Sequence, residues 1–331
     1  CRLMQVKALC SSIALGVMLA GQTFAAQPAT AEQWLQRLQG AQSAQSYQGS
    51  FVYERKGAFS THQVWRQIDA QGRLLERFLQ LNGPAHEVMR TDGRISCISS
   101  NVAEELAAVD VWPATSLHVE QLQHSYDVRV LKDSRVAGHA AAVLLFAPRD
   151  QHRYAVEMHM DKATAIPLKT LLLNEHGELL ERLQFVQFDA QTESGAEAQA
   201  LSAVVASEAC EPIRQARDTQ PQQVERESVV SWTPPGFVLQ RSHYKPASDE
   251  SGGVLSQVYS DGLAHFSVFY EPLADSNVEA GRRQTGPTSV VSKKVVHGDG
   301  YTMVTVIGEL PMGSAERVAL SVHAQQDESH D

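Results

Sequence analysis

The run of residues 152–189 limits the possible folds of this chain most strongly, because it reads as three consecutive strands joined by turns. In the first strand every second side chain is apolar, which is the two-residue period of a half-buried antiparallel strand. In residues 168–173 and 179–188 apolar side chains occupy both parities. Such strands need cover on both faces. Helices can provide it, or an antiparallel sheet can enclose a ligand cavity.

Residues 1–26 have the three-part pattern of an export signal. Arg2 and Lys7 form a positive end, residues 8–21 form an apolar run, and small residues follow. The apolar run is shorter than the ~20 residues that a membrane-spanning helix needs. Gln22 stands where a lipoprotein would carry its lipidated cysteine. We therefore expect an exported chain that is soluble after cleavage and carries no lipid anchor.

Four cysteines are present, and removal of the signal would take Cys1 and Cys10 with it. Cys97 and Cys210 would then remain in a compartment that permits disulfides. Their distance in the sequence leaves two readings open, one bridge or two separate thiols. Zinc sites use closely spaced pairs of ligands, so we expect no metal at these cysteines.

The formal net charge of −10 argues against a nucleic-acid-binding protein. The same acidity leaves open a local basic patch for an anionic lipid, or an acidic face for a basic partner segment. With 331 residues, the chain is long enough for two domains. Whether copies of the chain associate is not decided by the sequence.

The order of the predicted elements favours a mainly antiparallel β protein with some α-helix. Residues 30–45 read as an amphipathic helix that Thr30 can cap. Strand-like runs follow at short intervals, with a hairpin turn at Asp92-Gly93. No ladder of alternating strands and long helices occurs, which argues against a doubly wound fold. The expected boundaries are a signal over 1–26, a first domain over 27–190, a linker over 191–227, a smaller α+β domain over 228–325 and a frayed tail over 326–331.

Catalytic and metal motifs were sought and not found. The chain has no nucleophile elbow, phosphate-binding loop, zinc helix motif or dinucleotide fingerprint. Met158-His159-Met160-Asp161 offers copper-type ligands, but successive strand residues point to opposite faces, so His159 cannot join the two methionines. We expect neither an enzyme nor a cofactor. Aromatic residues such as Phe51 and Tyr53 can belong to the core or line a ligand cavity, and the sequence pattern does not distinguish these two roles.

Longer stretches of the chain resemble the MucB/RseB family, and the matches are spread over nearly all of it. They are Phe59-Ser60-Thr61-His62-Gln63-Val64-Trp65-Arg66, Leu81-Asn82-Gly83-Pro84-Ala85-His86-Glu87-Val88, Asp133-Ser134-Arg135-Val136-Ala137-Gly138, Ala147-Pro148-Arg149-Asp150 with Arg153-Tyr154, Ile166-Pro167-Leu168-Lys169-Thr170-Leu171-Leu172-Leu173-Asn174, and Tyr259-Ser260-Asp261-Gly262-Leu263-Ala264-His265-Phe266-Ser267-Val268-Phe269-Tyr270-Glu271.

The resemblance implies a periplasmic regulator of the envelope-stress sigma factor. Such proteins bind the periplasmic domain of an anti-sigma factor, RseA or MucA, and shield it from site-one proteolysis until lipopolysaccharide or another acylated ligand releases it. The resemblance also implies a LolA/LolB-like first domain, a curved open sheet or half-barrel covered by helices. A periplasmic carrier of lipids or lipoproteins is the alternative reading.

Candidate binding residues follow only from strand geometry, since the family offers no short binding signature to transfer. A lipid cavity is predicted on one face of the first sheet, at Phe51, Tyr53, Tyr154, Val156, Met158, Met160, Leu171, Leu173 and Phe185. A partner surface is predicted on the second domain, at Tyr259, Phe266, Phe269, Tyr270 and Tyr301.

Overall fold

The computed structural model describes residues 29–69, 71–83, 86–99, 119–191, 211–212, 228–245, 253–273, 278–297 and 300–324. The predicted signal over 1–26, Cys210, all of the predicted linker except residues 191 and 211–212, and the tail over 326–331 lie outside this part. None of the helices in the described ranges has both the length and the apolar character needed to cross a membrane.

The described strands form one large and one small antiparallel sheet, as the hairpin pattern predicts, together with a separate two-stranded ladder. The large sheet contains β1 (Ser46–Arg55), β2 (Ala58–Ile68), β3 (Leu74–Gln80), β4 (Glu87–Thr91), β5 (Arg94–Ile98), β6 (Tyr126–Val130), β7 (Ser134–Val136), β8 (His139–Pro148), β9 (Ala155–Asp161), β10 (Pro167–Leu173), β11 (Leu179–Gln191) and β12 (Glu211–Pro212). Its order is β12-β5-β4-β3-β2-β1-β11-β10-β9-β8-β6, with β7 paired to β8. The sheet is open, and its central pair joins the distant strands β1 and β11.

Two helices lie on one face of the large sheet, α1 (Ala31–Ala44) and α2 (Val119–Ser125). The side chain of Thr30 accepts a hydrogen bond from the backbone N–H of Gln33, whose side chain bonds the backbone of Thr30 in return. This capping box satisfies two backbone donors at the helix start. The apolar stripe of α1 is buried on the sheet; it comprises Trp34, Leu35, Leu38 and Ala41.

A bulge in β11 explains the doubly apolar pattern of that strand. Ser50 pairs with Gln187, but Phe51 pairs with Phe185, so Val186 is skipped and lies 56% exposed. The skipped residue changes the parity, and Phe185 and Phe188 therefore face the same core. The expectation of cover on both faces is thus wrong for this strand. Gly49 is required here, because a Cβ would lie 2.7 Å from the Phe185 ring.

The small sheet contains β14 (Val238–Lys245), β15 (Val254–Ser260), β16 (His265–Leu273), β17 (Gly281–Thr285), β18 (Thr288–His297) and β19 (Gly300–Gly308). Its order is β14-β15-β16-β19-β18-β17. Helix α3 (Met312–Ser321) covers one face, and β13 (Ser228–Val230) pairs with β20 (Val322–Ala324) beside it. Helix α3 ends at Ser321, and β20 begins at the next residue, Val322. We call residues 29–191 with 211–212 the large-sheet unit and residues 228–324 the small-sheet unit.

Candidate functional site

Six of the nine predicted cavity residues share one core cluster on the helix-covered face of the large sheet, which we call the inner face. Cross-strand pairing places Phe51 opposite Phe185, and Leu172 opposite Val156. The six residues, all buried, are Phe51, Tyr53, Val156, Met158, Met160 and Phe185. The predicted set is thus largely contiguous in space.

This inner face is covered by the chain's own helices. Leu38 of α1 and Leu122 of α2 are 0% exposed and belong to the same cluster as Met158 and Phe185. The apolar cover that the strand pattern requires on this side is therefore supplied by α1 and α2. An acyl chain could lie on these residues only if a helix moved aside.

Two predicted cavity residues lie on the other face. Leu171 pairs with Glu157 on one side and with Arg182 on the other, whereas its neighbour Leu172 packs on the inner-face core. Leu173 shares the parity of Leu171 and is half-buried. Because apolar residues occupy both odd and even positions of β10, the sequence pattern could not predict which of them lie on the inner face.

Tyr154, the ninth predicted residue, lies between the two units. Its hydroxyl donates to the backbone oxygen of Leu310 at 3.1 Å and accepts from the side-chain Nε2 of Gln284 at 3.1 Å. Burial raises the pKa of Tyr154 to about 12. The residue therefore connects the sheets and does not line a cavity with Val156 and Met158.

A cluster of charges lies where the inner face meets the small-sheet unit. The Tyr53 hydroxyl donates to Glu181 Oε2 at 2.7 Å, and Arg55 Nε donates to the same oxygen at 3.1 Å. Arg55 also reaches Glu309 of the small-sheet unit at 3.5 Å. Burial, followed by the nearby charge of Glu309, raises the pKa of Glu181 to about 7, against the opposing effect of Arg55. Burial and then Glu181 raise the pKa of Tyr53.

A second charge cluster joins the units at Arg153. Its guanidinium forms an ion pair with Asp261 and donates to the backbone oxygen of Pro235, both in the small-sheet unit. Asp150 accepts a further bond at 2.9 Å, and the Tyr126 hydroxyl donates to Asp261 at 3.2 Å. Burial raises the pKa of Asp261, although Arg153 acts in the opposite direction.

Asp261 also shapes its own hairpin turn. Its Oδ1 accepts the backbone N–H groups of Leu263 and Ala264 at 2.9 and 2.8 Å. Nothing in the sequence around Asp261 indicates that its carboxylate binds a distant arginine. In the sequence, Arg153 was singled out only as part of a stretch that resembles the MucB/RseB family. A buried interface of this kind has no local signature.

A third contact between the units involves His152. Its Nδ1 lies 3.0 Å from the hydroxyl of Ser314 in α3, and its ring meets Trp232 edge-on at 5.2 Å. Arg317 stacks over the same Trp232 at 4.0 Å. The interface is therefore rich in polar and charged groups. Contacts between domains with this character permit relative motion more readily than apolar ones.

The five residues of the predicted partner surface divide between the two faces of the small sheet. Tyr259, Phe266 and Tyr270 lie in the core beneath α3 and are at most 8% exposed. Phe269 and Tyr301 lie on the opposite face and are half-buried. We call that side the open face; a row of paired residues crosses it from Val258 through Ser267 and Ile307 to Val290.

Cys97 forms a disulfide, and its partner lies outside the described residues. Backbone pairing of β12 with β5 places Glu211 opposite Ile98 and Pro212 opposite Cys97. Part of the predicted linker thus pairs with an edge of the large sheet. Among the described residues, no group of three or more His, Cys, Asp or Glu side chains is arranged to hold a metal.

Comparison with known proteins extends over almost the whole chain. The family model of the MucB/RseB N-terminal domain matches residues 30–207, and that of the C-terminal domain matches residues 222–323. The Sigma factor AlgU regulatory protein MucB of Pseudomonas aeruginosa is 47% identical over 312 residues, covering 91% of this chain and 93% of that protein. The Sigma-E factor regulatory protein RseB of Escherichia coli K12 is 26% identical, covering 94% and 96%.

Two solved structures resemble the fold closely. The complex of Pseudomonas aeruginosa MucA and MucB matches with a TM-score of 0.73 and 46% identity, covering 89% of this chain and 99% of the matched chain. A crystal structure of MucB in complex with MucA(peri) matches with a TM-score of 0.72 and 44% identity, with the same coverage.

Proposed function

The chain belongs to the MucB/RseB family, and from this premise we propose that it binds the periplasmic domain of a MucA/RseA-type anti-sigma factor and so regulates an AlgU/sigma-E-type sigma factor. The observation that carries the proposal is the similarity to MucB as solved with MucA, at 44–46% identity over 99% of the matched chains. The export signal predicted over residues 1–26 supports action in the periplasm.

Binding would act by hiding the part of the anti-sigma factor that the site-one protease cuts. Exclusion of a protease requires only a stable complex between the two proteins. We place the partner on the open face of the small sheet, where Phe269 and Ile307 offer half-buried apolar area on the same face as Tyr301. Aromatic side chains of this kind often dominate binding energy at interfaces.

The test measures binding and protection together. The mature chain is mixed with the purified periplasmic domain of its cognate anti-sigma factor, the dissociation constant is determined by calorimetry, and cleavage by the site-one protease is timed. Phe269→Ala and Ile307→Ala should each weaken binding by about tenfold, which corresponds to ~1.4 kcal/mol. Leu320→Ala, a truncation at a 69% exposed site on α3, serves as the control. Absence of a complex, or cleavage at an unchanged rate, would overturn the proposal.

Release by an acylated ligand is the second part of the proposal. The inner face offers a continuous apolar surface that includes the flexible Met158 and Met160. Transfer of each methylene from water contributes ~0.8 kcal/mol, so one acyl chain can offset the displacement of α1 or α2. Occupation of the inner face would then alter the affinity for the partner by linkage.

Neighbouring leucines on opposite faces of β10 provide a matched test of this release. Leu172→Gln introduces a polar side chain at the inner face, whereas Leu171→Gln introduces the same group at the outer face. We expect lipopolysaccharide or a defined acylated fragment to dissociate the complex formed by the Leu171 variant, but not that formed by the Leu172 variant. Equal responses would remove the inner face from the proposal. Transfer of a lipoprotein from membrane to acceptor by the mature chain would instead favour the carrier function.

A further inference from the structure

The connection that leaves β3 carries an asparagine–glycine pair, Asn82-Gly83. Asn82 is the one asparagine of the sequence that a glycine follows, and both residues are exposed. In such a pair the backbone nitrogen of the glycine can attack the side-chain carbonyl of the asparagine, because no glycine side chain shields that nitrogen. Asparagine is accordingly among the chemically labile residues of proteins. How fast the attack proceeds depends on how the fold holds the two reacting groups.

The side-chain carbonyl of Asn82 is hydrogen-bonded to the large sheet. Its Oδ1 accepts the backbone N–H of Thr61 in β2 at 2.6 Å. The backbone N–H of Leu81 donates to the oxygen of the same Thr61 at 2.7 Å, which holds the connection against β2. Attack at the side-chain carbon of Asn82 turns Oδ1 into an oxyanion, and a donor that is already in place stabilises this charge as it develops. The Thr61 N–H is therefore positioned to activate the electrophile.

A second hydrogen bond acts on the attacking nitrogen. Gln80 Nε2 donates to the backbone oxygen of Asn82 at 2.7 Å, and this oxygen belongs to the same peptide group as the nitrogen of Gly83. When the Gly83 nitrogen loses its proton, negative charge moves onto that oxygen through the resonance of the peptide group. A hydrogen bond to the charged form favours ionisation. The Gln80 amide therefore activates the nucleophile.

Asn174, in the turn between β10 and β11, is held in a different way. Its Oδ1 accepts the backbone N–H groups of His176 and Glu178, both at 2.9 Å. Its Nδ2, the nitrogen that would have to leave, donates to the carboxylate of Glu178 at 2.7 Å. The residue that follows is Glu175, whose side chain crowds its backbone nitrogen. Asn174 therefore provides an internal comparison within the same chain.

We propose that Asn82-Gly83 is a self-modification site, at which the folded chain converts Asn82 into an aspartyl or isoaspartyl residue. The Gly83 nitrogen gives its proton to solvent and forms a bond to Asn82 Cγ. The bond between Cγ and Nδ2 then breaks, and Nδ2 takes up a proton from water and leaves as ammonia. A water molecule opens the resulting cyclic imide at either of its two carbonyls. Water is the only other reactant.

The modification would change the sheet beside the inner face. An isoaspartyl residue lengthens the backbone, so that Thr61 loses its alignment with Leu81 and with residue 82 together. Thr61 precedes His62, whose ring stacks on Phe51 of the inner-face core with the ring centres 5.1 Å apart. The change is irreversible without repair and loosens the packing of β2 at this point. The inference goes beyond the proposed function and does not depend on it.

Peptide mapping of the aged protein tests the proposal. The mature chain is incubated at mildly alkaline pH, both folded and in denaturant, and the loss of each asparagine is followed by mass spectrometry. Hydroxylamine is added to one portion, because it cleaves a chain at a cyclic imide. We expect Asn82 to be converted faster in the folded chain than in denaturant, with hydroxylamine cleavage between residues 82 and 83. Asn174 should stay intact in the folded chain.

Two variants test the two hydrogen bonds separately. Gln80→Met removes the donor to the backbone oxygen of Asn82, and Thr61→Pro removes the donor to its Oδ1. The Thr61 N–H bonds the Asn82 side chain, so proline at this position removes no hydrogen bond to a neighbouring strand. Each substitution should slow the conversion by about tenfold. Gln63→Met is the matched control, since Gln63 lies in β2 opposite Ser50, and it should leave the rate unchanged.

Two results would overturn the self-modification site. One is conversion of Asn82 that is no faster in the folded chain than in denaturant. The other is the same rate in the parent, in Gln80→Met and in Thr61→Pro. Circular dichroism of each variant confirms that the fold is retained. If Thr61→Pro does not fold, Gln80→Met and the comparison with denaturant keep the test decisive.

Discussion

Arg153 and Asp261 form an ion pair whose two side chains are both 0% exposed, and this pair joins the large sheet to the small one. Asp150, Tyr126 and the backbone of Pro235 satisfy further bonding positions of the pair. A fully buried pair contributes little net stability compared with apolar groups of the same shape, but loss of one member leaves an unpaired charge. Its main effect is to define how the units dock.

We expect Asp261→Ala to destabilise the docked arrangement by about 3–5 kcal/mol. Buried Arg153 would keep only the partly exposed Asp150 as an ion-pair partner, and the turn would lose the acceptor of the Leu263 and Ala264 N–H groups. Chemical denaturation of the mature chain should then show an early transition or two separate ones. Asp127→Ala is the control: it breaks the exposed pair with Arg129, whose side chains are 44% and 61% exposed. Such pairs contribute about 0–1 kcal/mol. Equal effects of the two substitutions would contradict the assigned role of Arg153 and Asp261.

Leu38→Ala tests the cover that α1 provides over the inner face. The side chain is 0% exposed in the inner-face core, and truncation of a buried leucine costs about 2–5 kcal/mol. Part of that cost would appear as easier displacement of α1, so uptake of a fluorescent acyl probe should increase. Leu320→Ala, at a 69% exposed site, should change neither stability nor uptake. Unchanged uptake in a destabilised Leu38 variant would show that α1 does not gate the inner face.

Alanine substitutions at two glycines near the start of α3 should change the stability of the protein in opposite directions. A Cβ at Gly308 would lie 2.3 Å from Phe266 Cβ and 2.7 Å from the backbone oxygen of His265, so Gly308→Ala should markedly lower the melting temperature. Around Gly313 nothing lies within 4 Å, and the residue lies in α3. Gly313→Ala should therefore stabilise by up to about 1 kcal/mol. Thermal unfolding, followed by circular dichroism, measures the melting temperatures of the two variants. A Gly308 variant as stable as the parent would contradict the close packing of Phe266 against Gly308.

Cys97 is disulfide-bonded, and we predict Cys210 as its partner, because the following residue, Glu211, pairs with Ile98. Peptide mapping of the exported protein without reductant should yield one linked pair containing both cysteines. Cys97→Ser and Cys210→Ser should each expose one free thiol and cost about 2–5 kcal/mol. A linked peptide that contains Cys97 with any other residue would contradict the assignment.

Much of the local structure could be predicted from the sequence. Asp92-Gly93 marks the hairpin turn between β4 and β5, since a tight turn depends on a few adjacent residues. The antiparallel class and the helix after Thr30 follow from short-range periodicity and capping. Family membership also followed, because it rests on matches distributed along the chain rather than on the position of any one side chain.

The face of the sheet on which a side chain lies could be predicted only for strands in which every second residue is apolar. Val156, Met158 and Met160 alternate with polar residues and do share the inner face. Leu171 and Leu172 are chemically identical neighbours, and only the pairing of β10 with β9 and β11 assigns them to opposite faces. In the small sheet, Phe269 and Tyr270 are likewise separated only by where α3 packs.

The amino-acid sequence by itself determined the antiparallel architecture, the hairpin turn at Asp92-Gly93 and the family. The tertiary structure alone decided which face α1 and α2 cover, how a bulge at Val186 brings Phe185 and Phe188 together, and that Arg153 meets Asp261. The physical reason is range: turns and strand periods arise from neighbouring residues, whereas burial and charge pairing depend on groups that come together only after the sheets have formed and docked.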